Sequence, residues 1–371
     1  MLRSARTLPV VSGAPIDRLQ RPLRDVRLSV TDRCNFRCGY CMPADLFGPD
    51  FAFLPRAELL TFEEIAIVAR ELVALGARTL RITGGEPLAR RNVERLVALL
   101  RALDDHESLG GASLDLALTT NGSLLAKAAG PLRAAGLDRI TVSLDSLDPV
   151  TFATMSGSDL PLERVLEGIA AASAAGFARI KLNAVIRRGL NDGEIVGLAE
   201  YAREGGHTLR LIEYMDVGSS NGWRLDEVVP ASEILARVRA RYPLEPLPPS
   251  RPGEVANRYR YLDGGGEIGL IAAVSAPFCG DCTRARISAE GRLYTCLFAS
   301  EGSDLKRHLR PTPDTAALRE TLRARWTARE DRYSELRDAE TAHRVPKVEM
   351  FRRSEEHTSE LQSPMYLVCR L

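Results

Sequence analysis

Six of the chain's seven cysteines fall into two groups of three, and thiols at such spacing do metal chemistry. The first group is Cys34-x-x-x-Cys38-x-x-Cys41. The second is Cys279-x-x-Cys282, followed after thirteen residues by Cys296. Three thiolates on a short loop can hold three irons of a [4Fe–4S] cube. The fourth iron then stays open to chelate a ligand, which a cluster with four protein ligands cannot do. Zinc is the competing occupant. Its sites usually close with a fourth Cys or His, with two to four residues between paired ligands. None of the five histidines (His106, His207, His308, His343, His357) lies near the first group, and the second also lacks a fourth ligand. On spacing alone both metals stay open. Between the last two cysteines runs Cys282-Thr-Arg284-Ala285-Arg286. Alternate residues of a strand share a face, so Arg284 and Arg286 can point at one polyanion, and Arg forks suit phosphate oxygens. A further segment, Thr83-Gly84-Gly85-Glu86-Pro87, offers bare glycines that let backbone approach a ligand closely, although alone it also reads as a strand-to-helix turn.

The elements that must position these groups alternate in type. β-rich runs occur at Val26 to Val30, Thr79 to Thr83, Leu114 to Thr119, Arg139 to Leu144, Ile180 to Ile186 and Leu209 to Met215. Between them lie FEEIAIVARELVALG, NVERLVALLRAL, LLAKAAGPLRAAG, LERVLEGIAAASAAG and NDGEIVGLAEYAREGG, with apolar residues at helical spacing; four of the five end on Gly. A sixth helix, SEILARVRARY, follows the last strand. Strand-then-helix repetition builds parallel sheet, and six units are too few for a closed eight-unit barrel. The sequence therefore predicts an α/β fold, a partial (β/α)6 barrel over residues 26–242, preceded by a flexible arm over 1–25. From about Pro243 a Pro-rich stretch leads into short β-like runs around 259–262, 268–274, 285–288 and 293–297, then a polar helical segment from Asp314 to Ala342. Residues 243–350 read as a smaller C-terminal α+β extension carrying the second cysteine group.

Composition narrows the classes. The 371 residues, 45% hydrophobic and 27% charged, suffice for a large core. Lys plus Arg total 50 against 49 Asp plus Glu, so bulk attraction to nucleic acid or an anionic membrane is not indicated. No apolar run approaches the roughly 18 residues of a membrane span, and the Arg-rich start lacks a secretory apolar core. An odd cysteine count with tight local spacings is not a disulfide framework, so a reducing, cytoplasmic setting is expected.

In this context the motifs resemble the radical S-adenosylmethionine (SAM) superfamily: the Cys34 triplet on the loop after the first strand, with Tyr40 before its last cysteine, and then Gly-Gly-Glu-Pro after the second strand. The segments LRDVRLSVTDRCNFRCGYCMP, LRITGGEPL, TTNGSLL, RITVSLDSLD, IKLNAVI, LIEYMDVG and the final CxxCxRxR…C are similar to the GTP 3′,8-cyclase family over about Pro15 to Met350. The resemblance implies that Cys34, Cys38 and Cys41 hold the SAM-cleaving [4Fe–4S] cluster and form the catalytic set with Arg284 and Arg286. Tyr40, Gly84, Gly85, Glu86, Ser143 and Met215 would contact SAM. Cys279, Cys282 and Cys296 would hold a second [4Fe–4S] cluster whose free iron takes the guanine. Arg27, Arg81, Thr119, Lys181 and the segment Arg284-Ala285-Arg286 would contact GTP. Without the resemblance, Arg27, Arg81 and Lys181 would read as edge charges, Thr119 and Ser143 as strand-end hydroxyls, and Met215 as core.

The implied reaction takes hydrogen from ribose C3′ of GTP and joins C3′ to guanine C8. It gives (8S)-3′,8-cyclo-7,8-dihydroguanosine 5′-triphosphate, the first step of molybdenum cofactor biosynthesis. The resemblance further implies a homodimer, an external electron donor that the sequence does not identify, and delivery of product to cyclic pyranopterin monophosphate synthase. Competing expectations are a two-cluster peptide maturase, which would carry more C-terminal cysteines, and a non-catalytic zinc protein that binds nucleotides. Finally, Arg353 to Ser363 (RSEEHTSELQS) reads as a translated DNA-sequencing adapter, so residues 351–371, including Cys369, are expected to be artefactual or disordered. The family's terminal Gly-Gly is missing after Lys347-Val-Glu-Met350, which implies that fold and ligand binding survive while turnover depends on that tail.

Overall fold

The computed structural model describes residues 14–337 and 347–349; the adapter-like run and Cys369 lie outside the described residues. Six strands appear within a residue or two of the periodicity: β1 (Asp25–Ser29), β2 (Thr79–Thr83), β3 (Asp115–Thr120), β4 (Arg139–Ser143), β5 (Lys181–Ile186) and β6 (Thr208–Glu213). Helices α1 (Phe62–Ala74), α2 (Val93–Arg101), α3 (Leu125–Ala134), α4 (Pro149–Ser156), α5 (Glu163–Ala174), α6 (Ile195–Glu204) and α7 (Ala231–Arg239) follow the strands. Local chemistry sets their ends. Thr61 opens α1 by accepting from the Glu64 amide at 3.1 Å while Glu64 accepts from the Thr61 amide at 2.7 Å, a reciprocal cap that stabilises by about 1 kcal/mol. Asp148 caps α4 ahead of Pro149, and Gly157, at φ +55°, ends it.

Each inner strand alternates. In β2, Leu80 and Ile82 enter the helix-facing core with Ile65 and Leu72 of α1 and Leu96 of α2, while Thr79, Arg81 and Thr83 turn to the other face.

The C-terminal segment supplies β7 (Leu244–Leu247), β8 (Asn257–Tyr261), β9 (Glu267–Ile271), β10 (Arg284–Ile287), β11 (Arg292–Tyr294) and β12 (Ser303–Asp304), then α8 (Thr315–Thr327) and α9 (Tyr333–Leu336). These strands do not form a sheet of their own. The order is β12-β11-β10-β1-β2-β3-β4-β5-β6-β9-β8-β7, so the extension completes the central sheet at both sides. β10 runs parallel to β1 and β9 parallel to β6, which satisfies backbone groups that would otherwise be bare edges. Eight consecutive strands, β10 through β9, are thus parallel. A flat sheet of that many strands would be about 34 Å wide. Side chains from all eight line one cavity, so the sheet curls around it.

Residues 14–24 correct the expectation of a flexible arm from 1 to 25. Ile16 bridges Pro22, and Asp17 and Arg21 are buried. The Asp17 carboxylate accepts from the amides of Leu19 and Arg21 and from the Arg21 side chain, which ties the segment down. Among the described residues, no helix is long and apolar enough to cross a membrane.

Candidate active site

The loop after β1 carries the first cysteine group, and its path explains the double glycine. The Gly85 amide donates to the Thr31 carbonyl at 2.9 Å, and the Glu86 amide to the Arg33 carbonyl at 2.8 Å. A Cβ at Gly85 would stand 2.2 Å from the Arg33 carbonyl oxygen, and Gly84 has φ +155°. Only glycine lets the two loops lie so close. Cys34, Cys38 and Cys41 all line the cavity. The Phe36 amide donates to the Cys34 sulfur at 3.4 Å, and the Phe298 amide makes the same contact, at the same distance, to Cys296 in the second group. Six cysteines in two sets of three, with an N–H donor already turned toward one sulfur of each set, fit two iron–sulfur clusters. Among the described residues, no three His, Cys, Asp or Glu side chains are gathered closely enough to hold a single metal ion.

Strand direction decides where the two groups stand. Cys34 follows the C-terminal end of β1. β10 is parallel to β1, with Asp25 opposite Arg284, so Cys282 lies before the N-terminal end of β10. Cys296 follows antiparallel β11 and arrives at that same end. The two triplets therefore sit at opposite ends of the strand axis, on one cavity of about 310 Å³.

The wall between them is cationic. Arg27, Arg81, Arg210, Arg284 and Arg286 project inward from β1, β2, β6 and β10. Arg27, Arg81, Arg210 and Arg284 also line an adjoining space of about 280 Å³ at the strand N-terminal ends, where Lys181, Arg139 and Arg251 join them. Arg139 is paired with Asp115, and Arg251 with Asp25 at 2.8 Å. Arg81 donates to two hydroxyls, those of Thr119 at 3.0 Å and Thr141 at 3.1 Å. Arg286 is fully buried, and its Nε and Nη1 have no hydrogen-bond partner. Burial and then neighbouring guanidiniums lower Arg81 to about 9 and leave it cationic near neutrality. Lys181 is brought lower, to about 7, by burial and then by Arg210, Arg139 and Arg81. A crowd of buried cations is costly unless an anion joins it.

At the opposite end Tyr40 donates to Asp145 at 2.7 Å, and the Val185 amide donates to the other oxygen of that carboxylate at 2.8 Å. Burial raises Asp145 to about 6 and holds Tyr40 well above its usual range, with Asp145 adding to the latter. Met215 and Ser143 also reach the cavity, and Asn221 holds the Met215 carbonyl at 3.0 Å. At the second group, burial pushes the Cys282 thiol up, but Arg284, Arg329 and Arg286 outweigh it and bring it to about 6. Cys296 is raised by burial to about 11.

Most residues singled out in the sequence meet here: the six cysteines, Tyr40, Gly84, Gly85, Arg27, Arg81, Thr119, Ser143, Met215, Arg284 and Arg286 line the main cavity, and Lys181 the adjoining one. Two do not. Glu86 is fully buried and turns away, accepting from Thr120 Oγ1 and the Asn121 amide at 2.7 Å and from the Leu88 amide at 2.9 Å. It braces the end of β3 against β2, and burial raises it to about 7. Ala285 lies on the opposite strand face, in the core, because alternation sends only Arg284 and Arg286 inward. Residues missed in the sequence are Asn183, Arg210 and Arg329. The first two had a legible signal in the strand period: Asn183 is two positions past Lys181, and Arg210 stands between Leu209 and Leu211, which face the core.

The chain matches the Radical SAM superfamily over residues 28–202 and Molybdenum Cofactor Synthesis C over 207–335. It is 59% identical to a GTP 3′,8-cyclase of Acidothermus cellulolyticus, covering 86% of this chain and 88% of that protein. A Xanthomonas campestris pv. campestris GTP 3′,8-cyclase is 52% identical, over 93% of this chain and 98% of the relative, and one from Staphylococcus aureus is 45% identical, over 88% and 94%. Among solved structures, Streptococcus suis SuiB bound to S-adenosylmethionine has a similar fold, with a TM-score of 0.53 at 14% identity; the match covers 86% of this chain and 68% of SuiB. With such identity over nearly its whole length, the chain belongs to the GTP 3′,8-cyclase family of the radical SAM superfamily.

Proposed function

We propose that this chain cyclises GTP to the 3′,8-cyclo nucleotide, the entry step of molybdenum cofactor biosynthesis. SAM would bind at the Cys34 end of the cavity, and GTP would lie between SAM and the Cys279 end. The observation that carries this reading is a single cavity with thiol triplets at opposite ends and a cationic wall between them, where buried nitrogens of Arg284 and Arg286 have no hydrogen-bond partner. Cys34, Cys38 and Cys41 would hold a [4Fe–4S] cluster that, when bound, supplies the electron for reductive cleavage of SAM. Cys279, Cys282 and Cys296 would hold a second.

The chain's own residues bind and orient. Gly84, Gly85, Ser143 and Met215 lie where SAM would rest, and Tyr40, fixed by Asp145, closes the wall beside Cys41. Arg27, Arg81, Lys181, Arg210, Arg284 and Arg286 would neutralise the triphosphate, with Thr119 steadying Arg81. Holding purine and phosphates at once makes attack on one ribose carbon effectively unimolecular and keeps a reactive radical from side chains and water. A cytoplasmic homodimer, an external one-electron donor and transfer of product to cyclic pyranopterin monophosphate synthase complete the reading.

Anaerobic incubation of the iron-reconstituted chain with SAM, GTP and dithionite tests it, with 5′-deoxyadenosine and cyclised nucleotide measured together. Both should form. Arg284→Ala or Lys181→Ala should weaken GTP binding by about 10- to 100-fold, the worth of a charge-assisted hydrogen bond of about 1.5–3 kcal/mol, with SAM cleavage largely kept. Equal loss of both would contradict those roles, and stoichiometric zinc in place of iron would overturn the assignment.

A further inference from the structure

Behind the Cys279-x-x-Cys282 turn lies a charged network that the roles above do not use. Asp17, Arg21 and Arg329 have side chains no more than 2% exposed. Asp17 Oδ2 accepts from Arg21 Nε at 2.6 Å and from Arg329 Nη1 at 3.3 Å. Arg21 Nη1 donates to the Cys279 carbonyl at 2.6 Å and the Asp331 carbonyl at 2.9 Å, and Arg329 Nη1 donates to the Cys282 carbonyl at 2.6 Å. Trp326 backs the assembly: its ring lies 4.7 Å from the Arg329 guanidinium, and its Nε1 donates to the Arg21 carbonyl at 3.0 Å. Three distant stretches, 17–21, 279–282 and 326–331, meet to hold one turn.

Stability does not explain this arrangement. Burying ions costs about as much as their attraction returns, and apolar residues of the same volume would often serve as well or better. Arg21 Nη2 is buried without a partner, a further cost. Nor are the cations fully matched. One carboxylate, Asp17, serves two guanidiniums inside, and Asp331 meets Arg329 Nε at 3.2 Å from the partly exposed side. On the cavity side Arg284 and Arg286 add positive charge, and Arg286 has two unpartnered nitrogens. Three thiolates on an iron–sulfur core form an anion that becomes more negative on reduction, and nearby charge and hydrogen bonding set its potential.

We infer that Arg21 and Arg329 are positioning residues for the second cluster, locking the Cys279 and Cys282 carbonyls and placing fixed positive charge behind the ligand turn so that its reduced form is favoured. This rests on the two-cluster reading. The N-terminal segment, through Asp17 and Arg21, is then part of the site.

The test uses the full-length reconstituted chain and Arg329→Gln, Arg329→Lys and Arg21→Gln. The readouts are iron and sulfide per chain, an EPR-monitored redox titration, iron release to a chelator, and SAM cleavage as a report on the first cluster. Wild type should hold about eight irons, as two cubes require. Arg329→Gln should shift the second cluster to a more negative potential and speed its iron release, with SAM cleavage kept. Arg329→Lys should keep the potential near wild type yet still release iron faster, separating charge from the guanidinium fork. Should Arg329→Gln fail to fold, Arg21→Gln and Arg329→Lys carry the same readouts. Wild-type potential and iron release in the soluble variants would overturn the inference. About four irons in the wild type would instead remove the two-cluster reading itself.

Discussion

Lys181 occupies the first position of β5 among Arg81, Arg139 and Arg210, and burial with these neighbours brings it from 10.5 to about 7. The unfolded chain keeps that proton up to about its ordinary value. Between about 7 and 10.5 it therefore binds more protons than the folded chain, and Lys181's contribution to stability improves as pH rises through that window. On the proposed reading a bound triphosphate would reverse the local field and restore the charge. GTP binding should then take up a proton above pH 7 and weaken as pH rises toward 9. Calorimetry in two buffers of different ionisation enthalpy would detect the uptake, and Lys181→Met should abolish it; a pH-independent affinity in wild type would refute the account. The inward alternation that puts Lys181 here also puts Asn183 and Arg210 there, so those two were readable from strand period alone. Glu86 was not: its carboxylate turns to the Asn121 amide, a partner known only once β2 and β3 are paired.

Among the elements, the contact between the β1 loop and the β2 loop leaves no room for a side chain at Gly85. The sequence suggested that the double glycine approaches a ligand. In the fold, Gly85 also approaches Arg33, one residue before Cys34, so its missing side chain serves the cluster loop directly. Gly85→Ala should push that loop off its seat, at about 1–3 kcal/mol or more for overpacking against backbone. The expected phenotype is loss of roughly half the bound iron together with SAM cleavage, read by iron analysis and 5′-deoxyadenosine formation. Full iron and normal cleavage in this variant would show that the loop adapts. α4 supports the same loop from the other side, since the Ser156 carbonyl accepts from the Arg37 amide at 2.8 Å and a Cβ at Gly157 would stand 2.2 Å from the Arg37 carbonyl oxygen.

Across the whole molecule, the strands after Pro243 flank the first six units on both sides. A fragment of residues 14–242 would leave parallel strands β1 and β6 as bare edges and lose Arg284, Arg286 and the second thiol group. It should aggregate and lack the near-UV circular dichroism of a packed core. A monomeric fragment with cooperative unfolding would mean that the first six units are autonomous. The buried Asp17 network makes a parallel point at the other terminus: Asp17→Ala leaves two guanidiniums without their shared carboxylate, so it should lower stability by about 3–5 kcal/mol, measured as a denaturant midpoint shift.

The sequence alone determined the strand–helix alternation, the inward-facing alternation of side chains, and the two thiol triplets with Arg284 and Arg286. Each of these depends on neighbours a few residues apart, where period and spacing carry the information. Only tertiary structure decided that β10 lies beside β1 and runs parallel to it. That pairing spans more than two hundred residues and leaves no periodic trace. It sends the second triplet to the opposite end of the cavity from the first, with the cations between them.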